Sequence, residues 1–80
     1  MRVSEIVARR IRTLLDERLM TQYRLAQNIA MHHNTLTSIM QAKNKSVNLK
    51  TIILITRGLG VTVEEFFRDP QFENSDLDVD

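Results

Sequence analysis

His32, His33, Asn34, Thr35, Thr37 and Ser38 crowd short or planar side chains that both donate and accept hydrogen bonds into positions 32–38. Leu36 and Ile39, at i and i+3, give the same stretch an inward face, so the polar residues are left outside if it is helical. A helix facing only solvent is more often written with Glu and Lys. The chemistry that fits is contact with the edges of bases and with phosphates. An Asn34 amide can bond adenine through two hydrogen bonds, Ser38 suits a base edge or methyl, and Thr35 suits a phosphate. Lys43 and Lys45 flank Asn44 just downstream, where flexible cations would neutralise phosphates and add salt-dependent affinity without reading sequence.

Other chemistries find little support. The chain has no cysteine, no glycine-rich phosphate loop and no paired carboxylates in an apolar setting, and its two histidines are adjacent. We therefore expect a non-enzyme without a cofactor. Neighbouring His32 and His33 point in different directions at a helix start, with no third ligand close in sequence, so no metal is expected either. The one tyrosine and three phenylalanines form no stacking row for single-stranded nucleic acid.

The elements that must position these residues can be read from apolar periodicity. A first helix is predicted over residues 4–18, with Val7, Ile11, Leu14 and Leu15 inward. Arg9, Arg10 and Arg12 fall on its solvated side, where Glu5 and Asp16 can pair with them. Thr21 is an N-cap candidate for a short helix over residues 22–29, with Leu25 and Ala26 inward and Met20 as an apolar staple. A third helix follows over residues 33–41. Asn48 is the predicted cap of a fourth over residues 49–58, apolar on much of its circumference, for which Gly58 and Gly60 supply the stop. Its isoleucines argue weakly for a strand. Thr62-Val63-Glu64-Glu65 reads as a capping box opening a fifth helix through Phe67, closed by Pro70. Met20, Met31 and Met40 read as core fillers.

Eighty residues suffice for one small core and little else. The net charge of +1 hides an asymmetry: residues 1–68 hold all 11 Lys and Arg against 5 acids, a net +6, while residues 69–80 hold 5 acids and no base. A basic body attracts polyanions, and an acidic tail either solubilises it or competes for its surface. We read residues 1–68 as the folded domain and residues 69–80 as a frayed or partner-dependent tail. No apolar run approaches the roughly 20 residues of a membrane span, and the N-terminus lacks a signal peptide's apolar stretch, which predicts a soluble, cytoplasmic protein away from membranes.

With its landmarks in order, the chain resembles the Cro and phage-repressor helix-turn-helix family, of the xenobiotic-response-element type. The resemblance spans residues 6–67 and rests on Thr21-Gln22 with Leu25-Ala26, Thr35-Leu36 with Ile39, Leu49, Thr51-Ile52, Ile55, Leu59-Gly60-Val61 and Glu65-Phe66-Phe67. It implies an all-α, lambda-repressor-like bundle of five helices in which helices 2 and 3 form the helix-turn-helix. It implies further that Gln22 grips a phosphate, that the outward face of helix 3 enters the major groove, and that residues 41–45 lie along the backbone. The candidate DNA-binding set is thus Gln22, His32, His33, Asn34, Thr35, Ser38, Gln41, Lys43, Asn44 and Lys45.

The expected function is a sequence-specific regulator, a small repressor occupying an operator in double-stranded DNA as a homodimer. The alternative is an antitoxin or anti-repressor, with a protein partner at the C-terminal region. Three positions depart from the family. Ala30 stands where glycine is usual, so either it takes a left-handed conformation at a cost of about 1 kcal/mol or the turn is reshaped around Asn28. Leu15 and Met40 stand where the family often has an arginine–glutamate pair, which reads as a repacked core. His32 replaces the usual Ser or Thr cap, which predicts a weaker start to helix 3.

Overall fold

The computed structural model describes residues 1–43 and 47–73, and these form five α-helices followed by one 3₁₀ turn. The helices are α1 (Val3–Glu17), α2 (Gln22–Asn28), α3 (His33–Met40), α4 (Leu49–Leu59) and α5 (Val63–Phe66). Val7, Ile11, Leu14 and Leu15 of α1 are buried, as their spacing predicts, and join Leu25, Ala26, Leu36, Ile39, Met40, Ile52, Ile55, Leu59 and Phe66 in one core. Leu15 and Met40 belong to that cluster together, so the two positions are filled by apolar packing. Replacing a buried ion pair in this way can be neutral or stabilising.

The predicted N-caps form, although at α5 only the Thr62 half of the expected capping box does, the Glu65 carboxylate pairing with Arg18. Thr21 Oγ1 accepts from the Arg24 N–H at 3.0 Å, Asn48 Oδ1 from Thr51 at 2.8 Å, and Thr62 Oγ1 from Glu65 at 3.0 Å. Each bond satisfies an amide that its helix leaves without a partner. At α1 the donor is the Arg2 backbone N–H, which reaches Glu5 Oε1 at 2.9 Å. That bond, and then the Arg2 guanidinium, hold the Glu5 carboxyl below its ordinary value of 4.5. A carboxyl lowered on folding adds stability above its ordinary value and loses it as the pH falls through the lowered one, so this tether weakens only in acid.

Four helix ends share one geometry. One or two residues past the helix the chain turns left-handed, and the next N–H bonds back to a carbonyl five positions earlier. The left-handed residues are Leu19 (φ 52°), Ala30 (φ 53°), Ala42 (φ 54°) and Gly60 (φ 77°). The returning bonds are Met20 to Leu15 at 2.9 Å, Met31 to Ala26 at 2.9 Å, Lys43 to Ser38 at 3.0 Å and Val61 to Thr56 at 3.0 Å. Ala30 therefore takes the first of its two predicted alternatives, a left-handed turn in the helix-turn-helix. Leu19 is 96% exposed and has no packing to lose. Leu19→Gly is expected to raise the stability by about 1 kcal/mol in urea unfolding, and an unchanged midpoint would show that the left-handed leucine is unstrained.

Several expectations need correction. Gly58 lies inside α4 and is no stop: a Cβ there would sit 2.5 Å from Ile29 Cγ2 and 2.7 Å from Leu25 Cδ1, so its missing side chain is what lets α2 seat on α4. Asn28 spans the same contact, its Nδ2 donating to the Gly58 carbonyl at 3.3 Å. The strand alternative for α4 is excluded by its helical bonding, and Leu49 at its start is exposed. Pro70 opens a 3₁₀ turn, Pro70–Glu73, that folds Phe72 onto the body, with its ring 4.9 Å from Phe67 and 6.1 Å from Phe66. The predicted fraying therefore does not begin at Gln71, because Phe72 finds aromatic partners that offset the entropy of ordering the turn. Residues 74–80, with three of the five acids expected to compete or solubilise, lie outside the described residues.

The arginines of α1 also differ from expectation. Arg10 donates from Nε to the Phe66 carbonyl at 2.8 Å and from Nη2 to the Glu65 carbonyl at 2.7 Å. Arg12 donates from Nη2 to the Met40 carbonyl at 3.4 Å. These guanidinium groups face the ends of α5 and α3, where free carbonyls carry partial negative charge, in preference to the acids of their own helix. Arg9 and Arg12 are exposed, as their solvated side predicts, while Arg10 is half-buried.

Candidate nucleic-acid interface

α3 is an eight-residue helix that buries Leu36, Ile39 and Met40. Its other face carries His33, Asn34 and Thr35, all exposed, with Thr37 and Ser38 half-buried beside them. The polar row read from the sequence is thus displayed on the surface, and its apolar period seats the helix against α1 and α2. Gln22 is the first residue of α2 and half-buried, directly after the Thr21 cap. Gln41 and Lys43 are exposed just beyond α3. Asn44 and Lys45, predicted to lie along the backbone, fall outside the described residues.

His32 stands where Ser or Thr is usual and still fills the cap position: its Nδ1 accepts the Asn34 N–H at 3.1 Å. To accept there, Nδ1 must be unprotonated, which leaves the ring proton on the exposed Nε2 as an outward donor. His32→Ala is expected to cost about 1 kcal/mol of stability, and His32→Asn, which keeps a side-chain acceptor, to restore most of it. Equal losses in both variants would place the effect outside the cap.

Tyr23 and Arg24 were not among the predicted residues, yet both are exposed on α2. The Tyr23 ring lies 6.1 Å from that of His33 at an angle of 55°, joining the two helices of the motif on their outer side. One signal for them was available in the sequence. Residues 18–63 contain no Asp or Glu, while Arg18, Arg24, Lys43, Lys45, Lys50 and Arg57 lie within them together with both histidines. The whole of α2, α3 and α4 is therefore free of acids, and every acid of the chain belongs to α1, to α5 or to the segment after α5. A surface without negative charge, carrying amide, hydroxyl, imidazole and cationic groups, is suited to approach a polyanion at close range.

Residues 10–71 match the family model of the Cro/C1-type helix-turn-helix DNA-binding domain. No curated protein and no solved structure matches the chain. Among the described residues, no helix is long and apolar enough to cross a membrane.

Proposed function

The chain belongs to the Cro/C1-type helix-turn-helix DNA-binding family, and from that premise we propose that it is a sequence-specific regulator, a small repressor acting by occupying an operator as a homodimer. The observation that carries this reading is the division of α3 into a buried face of Leu36, Ile39 and Met40 and an exposed face of His33, Asn34 and Thr35. On this reading Asn34, at the start of the helix in the major groove, bonds adenine, and Ser38 one turn later meets a base edge or methyl. His33 meets the duplex beside them. Gln22, Thr35, Gln41 and Lys43 anchor phosphates at the two edges of the groove, and the outward Nε2–H of His32 adds a donor of the same kind. Lys45 and Asn44 extend that anchoring. One eight-residue helix touches too few base pairs to select a site in a genome, which favours two copies on a palindrome.

Selecting bound fragments from random duplex DNA and sequencing them tests the proposal, with an enriched palindrome as the expected result. Failure to enrich any sequence would overturn it. The second reading, a protein-interaction module such as an antitoxin or anti-repressor, draws support from Phe67, which stays 37% exposed beside Val63 at 37%. Under that reading, binding to mixed genomic duplex is weak at every salt concentration.

A further inference from the structure

The left-handed ends of α1, α2 and α4 are each locked by an apolar residue, since Met20, Met31 and Val61 follow the left-handed position and pack against the core. The end of α3 lacks that lock. The residue in the matching place is Lys43, which is exposed. Two arginines of the N-terminal region reach this end from outside: Arg2 Nη2 donates to the Ala42 carbonyl at 3.2 Å, and Arg12 Nη2 to the Met40 carbonyl at 3.4 Å. Among the described residues, the backbone N–H groups at this end reach no further than the Ile39 carbonyl, and both acceptors lie past it. Arg2 is itself oriented by Glu5, whose Oε1 accepts from the Arg2 backbone N–H at 2.9 Å and from its Nε at 3.4 Å.

We propose that Arg2 and Arg12 are positioning residues for duplex recognition, holding the Met40 and Ala42 carbonyls so as to fix where the reading helix ends and where Lys43 meets the phosphate backbone. This rests on the reading of α3 and Lys43 given above. Leu15 and Met40 remove any side-chain ion pair between α1 and the end of α3, and the tie passes to guanidinium–carbonyl bonds. Such bonds resist a slide of α3 along its axis, which apolar packing by Leu36 and Ile39 opposes less sharply because it is non-directional. Neither arginine has to touch the nucleic acid to affect it. Their contribution is therefore to the register of base contacts and not to the number of phosphates neutralised.

Arg2→Met, Arg12→Met and the double variant keep most of the apolar stem and lose the donors. Each is measured for urea unfolding, for amide exchange at Ala42 and Lys43 without DNA, and for binding to the selected duplex and to random duplex across a salt series. Amide exchange at Ala42 and Lys43 should quicken. The double variant should bind the selected duplex about tenfold more weakly while random duplex changes little, the scale of one charge-assisted hydrogen bond. Its salt slope should stay within about half a unit of the parent's.

Equal losses on both duplexes with a slope lower by about two would make the arginines phosphate contacts and overturn the proposal. Unchanged binding with lowered urea stability would leave them a purely structural role, and overturn it as well. The single variants retain one tie each, so the test survives a double variant that fails to fold. A parent chain that enriches no sequence would remove the DNA-reading assignment and this role together, whereas a parent that enriches one and variants that bind it unaltered would remove the positioning role alone.

Discussion

Arg10→Met is expected to destabilise the domain by about 3 kcal/mol, more than any other surface arginine of the described chain. The guanidinium makes two bonds, at 2.8 Å to the Phe66 carbonyl and 2.7 Å to the Glu65 carbonyl, and both lengths are those of charge-assisted pairs. Methionine retains the apolar stem, so what is removed is the cation and its donors. The two carbonyls close α5, a helix of four residues too short to hold itself, and the Phe66 side chain on that helix is fully buried. Loosening α5 thus exposes the aromatic cluster of Phe66, Phe67 and Phe72.

A chain of this length has roughly 4–12 kcal/mol in total, so the loss should lower the melting temperature by roughly 10–20 °C. Arg9→Met, on an exposed neighbour, should stay within about 0.5 kcal/mol. Glu65→Gln removes only the pairing of its carboxylate with Arg18 at 3.5 Å and should cost less than about 1 kcal/mol. Urea unfolding of the three variants is the measurement. A loss below about 1 kcal/mol for Arg10→Met would show that the two carbonyls are equally well served by water.

Arg10 also marks where the sequence stops being informative. Its acceptors lie 55 and 56 residues away, and nothing within its own helix hints at them. Signals that act within one turn are legible: Thr21, Asn48 and Thr62 cap the helices they precede, and the 3.6-residue period of α1 and α3 selects the residues that are buried. Helix endings are less so, because the usual marker is glycine and three of the four left-handed positions here are Leu19, Ala30 and Ala42. At α1 and α2 the loss of glycine is offset by Met20 and Met31, whose burial is a tertiary fact. Gly58 misleads for the opposite reason, being a site of close helix approach that looks like punctuation.

The face of α3 was legible from its pattern, whereas the exposure of Tyr23 and Arg24 was not, because α2 has only seven residues and its outer side shows no period. The absence of acids over residues 18–63 was visible but falls between the usual scales, being longer than a motif and shorter than the whole-chain charge balance. It agrees with the fold once α2, α3 and α4 are seen to share it. Electrostatics of this kind raises the rate and strength of approach to any duplex. On the reading proposed above, it leaves the choice of sequence to a few side chains on α3.

Asn34 is the side chain on which that choice should depend most. It is exposed on the first turn of α3, and its backbone N–H is already taken by His32 Nδ1 at 3.1 Å, so the amide side chain is not needed as a cap and is available to a base. Asn34→Ala should weaken binding to the selected duplex by roughly 1–3 kcal/mol while barely changing affinity for random duplex. Lys43→Ala should behave in the opposite manner. An exposed lysine past the end of the reading helix contributes to every duplex alike, so its removal should weaken both and lower the magnitude of the salt slope by about one unit. The two variants therefore separate on a plot of specificity ratio against salt slope: Asn34→Ala moves the ratio alone, and Lys43→Ala moves the slope alone. Equal losses on selected and random DNA for Asn34→Ala would take it out of the base-reading set and shift the choice of sequence to His33 and Ser38. Because neither substitution alters a buried residue, urea midpoints close to the parent's are expected for both, and any change in binding then belongs to the interface.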